Sequence, residues 1–287
     1  MAEQKLTTTQ QLQLKSVDFT NQFNQNLSTL LKVLGITRKT NLPVGNAIKI
    51  YKTSVDKTDG KVGEGEIIPL SQVKKEVDDT KTLEYSKYRK SVSIEGIQGA
   101  GFQQAVTETD LALLREVQRD IKNDLIDQVK AGSGQAQGDN FQKTVANALA
   151  KLSIAFDDTN ATDSVLFVNP IDFYGYLGDT PIQMQSAFGL NYIQNYLGFT
   201  AIIMNPAVEE GKIYATPGQN LNMYYANASS AGFEAYTDET GYISIMRNQA
   251  NDRLTLDTTM YTALKIFPER LDGVIAGTIG KKAANTK

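Results

Sequence analysis

Cysteine, histidine and tryptophan are all absent from the 287 residues. Without cysteine there is no disulfide, no thiolate metal site and no cysteine nucleophile. Without histidine the chain lacks the commonest general base, the commonest metal ligand and the usual partner of a nucleophilic serine. Carboxylates, lysine, tyrosine and serine remain, but the composition predicts a protein that is not an enzyme and uses no cofactor. No apolar run approaches the ~20 residues that span a bilayer. The opening stretch, "MAEQKLTTTQQLQLKS", has no apolar core of the signal-peptide kind. A chain made in the cytosol, with no membrane partner, is expected. The 29 basic and 32 acidic residues leave a formal charge of −3, without the basic surplus of a protein built mainly to bind nucleic acid.

What is present reads as an α+β chain with no orderly βαβ repeat, long enough for a sizeable core and two subdomains. Residues 1–16 are rich in Gln and Thr and read as an arm without a core of its own. Phe19, Phe23, Leu27, Leu30, Leu31 and Leu34 then share one helical face, with Gly35 as the stop. "AIKIYK" (47–52) alternates like a strand, and alternation returns at "LEYSKYRKSVSIE" (83–95). Between them lies a long excursion dense in Lys, Asp, Glu and Gly. Two strands flanking it predict an extended β-hairpin, marginal alone in water and exposed along its edges; the other reading is a surface loop without regular structure.

The strongest helical pattern follows. Leu111, Leu114, Val117, Ile121, Leu125 and Val129 recur at three- and four-residue spacing, Thr107 with Asp110 resembles a capping box, and Gly132 is the stop. "AGSGQAQGDN" (131–140) reads as a loop and subdomain boundary, and Phe141, Val145, Leu149 and Leu152 mark a second amphipathic helix. Next come two apolar strands, "SVLFV" and "FTAII", each ended by Asn-Pro (169–170 and 205–206). Proline cannot donate to a ladder and pushes its predecessor away from helix, so it closes a strand cleanly. A short helix is expected over Asp172–Leu177, another within 181–198, short strands over 211–218 and 221–229, and a hairpin turning at Gly241. The tail predicts a strand, a break at Pro268 and a short apolar segment.

No residues make a convincing reactive site. Asp157-Asp158 and Glu209-Glu210 are adjacent carboxylates in predicted loops, and read as solvated turns. "GEGE" (63–66) and "GQAQG" (134–138) lack the strand–turn–helix setting of a phosphate cradle. Tyr192, Tyr196, Tyr224 and Tyr225 read as core or interface aromatics rather than stacking platforms.

The order of parts, together with "LFVNPIDFYGYL" and "YLGFTAIIMNPAVEEGKIYATPG", resembles the major capsid protein of tailed bacteriophages. That fold is shared with encapsulins and the herpesvirus capsid floor, and the resemblance covers essentially the whole chain. It implies an α+β phage major-capsid fold with an N-terminal arm and short helix (1–35), an extended β-hairpin loop with its base strands (36–95), a peripheral domain with a long spine helix (96–138), an axial domain (139–255) and a return to the peripheral domain (256–287). It further implies a structural protein of the virion, assembling in the host cytoplasm. Copies of itself would form pentamers and hexamers of an icosahedral head around double-stranded DNA, bound without sequence specificity. A portal protein and a separate scaffolding protein would be partners, since the chain has no room for a scaffolding segment before its first helix.

Within the loop, Lys57, Lys61, Glu64, Glu66, Lys74, Lys75 and Glu76 are the expected inter-subunit contacts, setting register and partner choice more than raw affinity. The Lys–Asn crosslinks of some relatives are not carried over, because no Asn or Glu here matches them. Three alternatives stay open: an encapsulin-like compartment shell, a phage tail-tube subunit, and a carboxylate-based hydrolase. The last would need two carboxylates at fixed separation beside aromatic platforms, and the lack of tryptophan weighs against it.

Overall fold

The structure, a computed structural model, describes residues 9–157, 163–178, 182–227, 235–237 and 241–280, apart from the side chains of 9–19, 52 and 53. In chain order the elements are α1 (Thr9–Val33), β1 (Lys39–Asn41), β2 (Ala47–Asp56), β3 (Gln72–Thr82), β4 (Ser86–Ser93), α2 (Ile94–Phe102), a π-helical segment (Gln103–Glu108) and α3 (Thr109–Lys130). Then follow β5 (Gly134–Gly138), α4 (Phe141–Ala155), β6 (Ser164–Val168), α5 (Pro170–Leu177), β7 (Gln185–Ala187), β8 (Leu190–Tyr196), β9 (Phe199–Met204) and β10 (Lys212–Pro217). The chain ends with β11 (Leu221–Tyr225), β12 (Tyr236–Thr237), β13 (Ile243–Ala250), β14 (Thr255–Thr262), β15 (Leu264–Pro268) and β16 (Ile275–Ile279).

A seven-stranded mixed sheet, ordered β5-β16-β10-β6-β9-β8-β7, forms the middle layer of one half of the molecule. Its two faces bury different cores. Val165 and Phe167 of β6 and Ala201 and Ile203 of β9 join α1 and α3. Leu166 and Val168 of β6 and Ile202 and Met204 of β9 join α4 and α5 on the other side. A strand covered on both faces has no polar side to show, which is why "SVLFV" reads as an unbroken apolar run. The second half is a four-stranded antiparallel sheet, β12-β13-β14-β4, whose Ile243, Ile245 and Met260 share the core of α3.

The two Asn-Pro stops turn out to be neighbours. β6 and β9 are parallel, with Val168 opposite Met204, so both stops lie at the same edge of the sheet. Asn169 caps α5, its Oδ1 accepting from the Ile171 amide at 2.9 Å, with Pro170 in the first helical turn. Its Nδ2 donates to the Val208 carbonyl at 2.7 Å, fastening the loop that leaves β9. Asn205 carries the ladder one step further, its amide donating to the Val168 carbonyl at 3.0 Å, and then turns the chain by accepting from the Ala207 amide at 2.9 Å.

Most of the expected helical faces are buried: Phe23, Leu27, Leu30, Leu31 and Leu34 near the end of α1, and Leu114, Val117, Ile121, Leu125 and Val129 on α3. Phe19 lies outside the described side chains. Gly35, at φ +66°, ends α1 in a Schellman motif: the Ile36 amide donates to Leu31 at 2.9 Å and the Gly35 amide to Lys32 at 3.1 Å.

Several expectations are corrected. Helix α1 starts at Thr9, so half of the supposed coreless arm is helical; glutamine and leucine are good helix formers. Thr107 is not at a helix start: it lies within the π-helical segment, and the rod begins instead at Ser93, whose side chain accepts from the Gly96 amide. The rod is kinked at Gly101, whose φ of 80° and ψ of 153° are not helical. The stretch 134–138 is the parallel edge strand β5, paired with β16, a tertiary pairing that its composition does not encode. Residues 185–196 are strands rather than helix. Two-residue turns at Phe188-Gly189 and Leu197-Gly198, all four residues at positive φ, link β7 to β8 and β8 to β9 in the geometry that suits a twisted hairpin. The pairing of β12 with β13 bears out the hairpin at Gly241, although its turn at 238–240 lies outside the described residues.

Candidate interaction surface

The extended hairpin is present, with a different second strand. β2 pairs with β3, from Ala47 opposite Thr82 to Asp56 opposite Gln72. Residues expected to be the returning strand instead form β4, which pairs along its whole length with β14. The hairpin root is tied down: Ile48 and Ile50 are buried against Phe267, and Tyr224 stacks on Phe267 at 5.0 Å. Between Ile50 and Tyr51 the register slips at a β-bulge that leaves Asp78 of β3 out of the pairing, and the slip brings Val77 and Val73 opposite Tyr51 and Val55.

Beyond the bulge the hairpin has two unlike faces. Tyr51 lies opposite Val77 and Val55 opposite Val73, and all four are 45–64% exposed. The alternate positions are polar, with Ser54 opposite Lys74 and Lys52 opposite Glu76. The tip adds Ile67, Ile68 and Leu70, at 94%, 69% and 93% exposure. It is closed locally, Thr58 Oγ1 donating to the Pro69 carbonyl at 3.1 Å.

All seven charged residues singled out from the sequence are exposed. Lys57, Lys61, Glu64 and Glu66 lie in the tip, and Lys74, Lys75 and Glu76 on β3. The structure does not bring them together. Glu66 accepts from the Gly63 amide at 2.8 Å and so shapes its own turn. Lys75 sits over the Tyr51 ring at 4.6 Å. Among the described residues none of the seven forms an ion pair. Sequence reasoning missed the apolar stripe beside them. Its signal was available: Tyr51 and Val55 on β2, and Val73 and Val77 on β3, stand four residues apart and so share one side of their strand.

The chain leaving the hairpin is anchored by a buried charge cluster. Arg247, Thr258 and Lys90 lie in one cross-strand row of the four-stranded sheet, beneath the first turn of α3. Asp110, fully buried, bridges them: Arg247 lies 2.5 Å from Oδ2 and Lys90 2.7 Å from Oδ1. Lys90 also donates to the Val106 carbonyl at 2.9 Å, inside the π-helical segment, and to the Thr109 hydroxyl. Nearly three turns further along the rod, Tyr88 of β4 donates to Asp120 at 2.8 Å. Burial first, and the Asp120 hydrogen bond second, push the Tyr88 phenol up to about 12.

The remaining candidates behave as ordinary structure. Glu209 pairs with Lys212 in an exposed turn, a contact that lowers the carboxylate's pKa. Asp157 is exposed and Asp158 lies outside the described residues. Tyr225 packs edge-on against Tyr242 at 4.8 Å, and Tyr196 against Phe173 at 6.1 Å. Among the described residues no group of three acidic residues could hold a metal, and no helix is long and apolar enough to cross a membrane.

No family model and no curated protein matches the chain. Solved structures do. A virus-like particle protein from Pyrococcus furiosus aligns over 90% of this chain and 97% of its own, with a TM-score of 0.51 at 14% identity. The holo-SrpI encapsulin complex from Synechococcus elongatus aligns over 90% of both chains, with a TM-score of 0.57 at 10% identity. The mature capsid of bacteriophage PhiM1 covers 85% of this chain and 86% of its own, with a TM-score of 0.54 at 11% identity. The chain therefore has the capsid fold shared by phage capsids and encapsulins, as the sequence resemblance implied.

Two outcomes test the anchor. Asp110→Ala leaves two desolvated cations without a counter-charge and should destabilise the fold by about 3–5 kcal/mol in a denaturant titration. Tyr88→Phe should cost about 1 kcal/mol at neutral pH. The tyrosine's contribution is full below the phenol's unfolded pKa near 10 and is lost as pH rises towards about 12. Stability curves of wild type and Tyr88→Phe should therefore converge over that interval.

Proposed function

We propose that the chain is a structural subunit that assembles with copies of itself into a closed shell: pentamers and hexamers of an icosahedral phage head enclosing double-stranded DNA. The observation that carries this reading is the hairpin, which gathers an uncovered apolar stripe and an apolar tip on one projecting element. Fully burying a large apolar side chain stabilises by roughly 1.5–3 kcal/mol, so the seven exposed ones are worth on the order of 10–20 kcal/mol at most. Association costs about 4–15 kcal/mol. One docked hairpin thus holds a partner weakly, while a ring in which every hairpin docks is cooperative. Lys57, Lys61, Glu64, Glu66, Lys74, Lys75 and Glu76 flank the apolar stripe, and in this reading they set register on the neighbouring copy.

The division proposed with it keeps residues 1–35 as arm and first helix, 36–95 as extended loop with its base strands, 96–138 as peripheral domain with the spine helix, 139–255 as axial domain and 256–287 as the return. A separate scaffolding protein and a portal protein complete the proposed partners, and the virion is the proposed location. An encapsulin-like compartment is the second reading, favoured by the equally extensive match to an encapsulin.

The triple variant Ile67→Ser, Ile68→Ser, Leu70→Ser separates folding from assembly. These side chains are solvated in the single chain, so its melting temperature should shift by no more than a degree or two while light scattering and electron microscopy show assembly lost. Wild-type-like assembly of the variant would refute the hairpin's role. Nuclease-protected DNA inside purified particles supports the phage reading; an enclosed protein cargo supports the compartment.

A further inference from the structure

Where β6 and β9 end side by side, α5 leaves on one side of the sheet and residues 205–211 cross over to β10 on the other. Chains that part in this way leave a crevice beyond the carboxyl ends of parallel strands, a recurrent place for ligands. Here the crevice is a cavity of about 240 Å³ between α3, the start of α5 and the β7–β8 turn. A water's share of liquid volume is roughly 30 Å³, so a polyatomic ion and several waters fit.

The polar lining is one-signed. Arg119, Lys122 and Asn123 come from α3, Asn191 from β8 and Asn205 from the Asn-Pro stop, with Tyr174 at the rim; no carboxylate lines it. Lys122 is half-buried, and its one hydrogen bond goes to the Gly189 carbonyl at 3.3 Å. Among the described residues it has no acidic partner. Burial first, then the nearby Arg119, push its ammonium pKa down. Both causes penalise the cation, and the opposite charge of an anion in the cavity would offset them. Arg119 is engaged only by Glu116 of its own helix, in a pair more than half exposed on the arginine side, an interaction of low strength that a second anion readily competes with. Asn205 is buried and spends its Oδ1 on the Ala207 amide, which leaves its NH₂ as a donor.

We propose that this cavity is a binding site for a phosphate group, with Lys122 and Arg119 as counter-cations and the carboxamides of Asn123, Asn191 and Asn205 as neutral donors. A tetrahedral anion with several acceptor oxygens matches two cations and three amides better than a halide or a single carboxylate. The phosphate has two sources of the same chemistry: a free phosphate, or a phosphodiester of nucleic acid lying along α3, where Arg115, Arg119 and Lys122 follow at helical spacing.

The test is calorimetric titration of the full chain with inorganic phosphate, at ionic strength held constant with chloride. Saturable binding is expected, weakened at least tenfold in Lys122→Met, which keeps the aliphatic stem. Lys143→Met, a surface lysine of α4 outside the cavity, should change it less than twofold. A fluorescent single-stranded oligonucleotide then identifies the source. If phosphate displaces the oligonucleotide and Lys122→Met loses both, the ligand is a phosphodiester; if the oligonucleotide leaves phosphate binding untouched, it is free phosphate. No saturable binding to the wild type, or equal weakening in the two lysine variants, overturns the proposal. Should Lys122→Met fail to fold, Lys122→Gln and the wild-type titration still decide.

Discussion

The buried carboxylate of Asp110 is the point at which the structure is fastened together. It faces Lys90 on one outer strand of the four-stranded sheet and Arg247 two strands away, and it sits at the start of the long helix whose apolar face fills the core shared by the two sheets. A buried ion of this kind adds little net stability compared with a well-packed apolar substitute, but losing one partner is costly. Its effect is to fix position. The sheet, the π-helical segment and α3 can meet in only one register that leaves none of these charges alone, and β4 is the strand on which the hairpin returns to the body.

A rigid mount matters because of what it carries. β2 and β3 form a two-stranded ribbon, an element that is marginal in water without a further layer. Its root is packed on Phe267, while its far half offers one apolar and one charged side. The bulge, with Asp78 as the extra residue of β3, decides which residues face one another. Without that one-residue slip Tyr51 and Val55 would stand opposite Asp78 and Lys74 rather than Val77 and Val73. Lys74 and Glu76 lie on the side away from the stripe while Lys75 lies within it, between Val73 and Val77 and over the Tyr51 ring, so a neighbour that covers the stripe meets these charges at its margin.

Legibility in the sequence followed how local the physics was. α1 and α3 were readable because a single helix face repeats every three to four residues, and β6 and β9 because strands covered on both sides are apolar throughout. The Asn-Pro stops were readable for the same reason: a missing donor and a capping amide act within three residues. β3, β5 and β8 were not, since each owes its form to a partner strand or to positive-φ turns rather than to its own composition. Asp110 shows the limit best. Three residues after Thr107 it imitates a helix cap, whereas its real partner Arg247 is 137 residues away. The seven loop charges lie on the hairpin, and the apolar stripe beside them is carried by only two residues on each strand, which face one another through a register that the bulge sets and composition does not encode.

Whether copies of this chain complete one another is read most directly from sedimentation velocity on the unmodified protein across a concentration series, with electron microscopy of the fast-moving fraction. A cooperative step from single chains to rings of five or six subunits or to closed shells is expected. A single slow species at every concentration, unchanged by crowding agents, would contradict it.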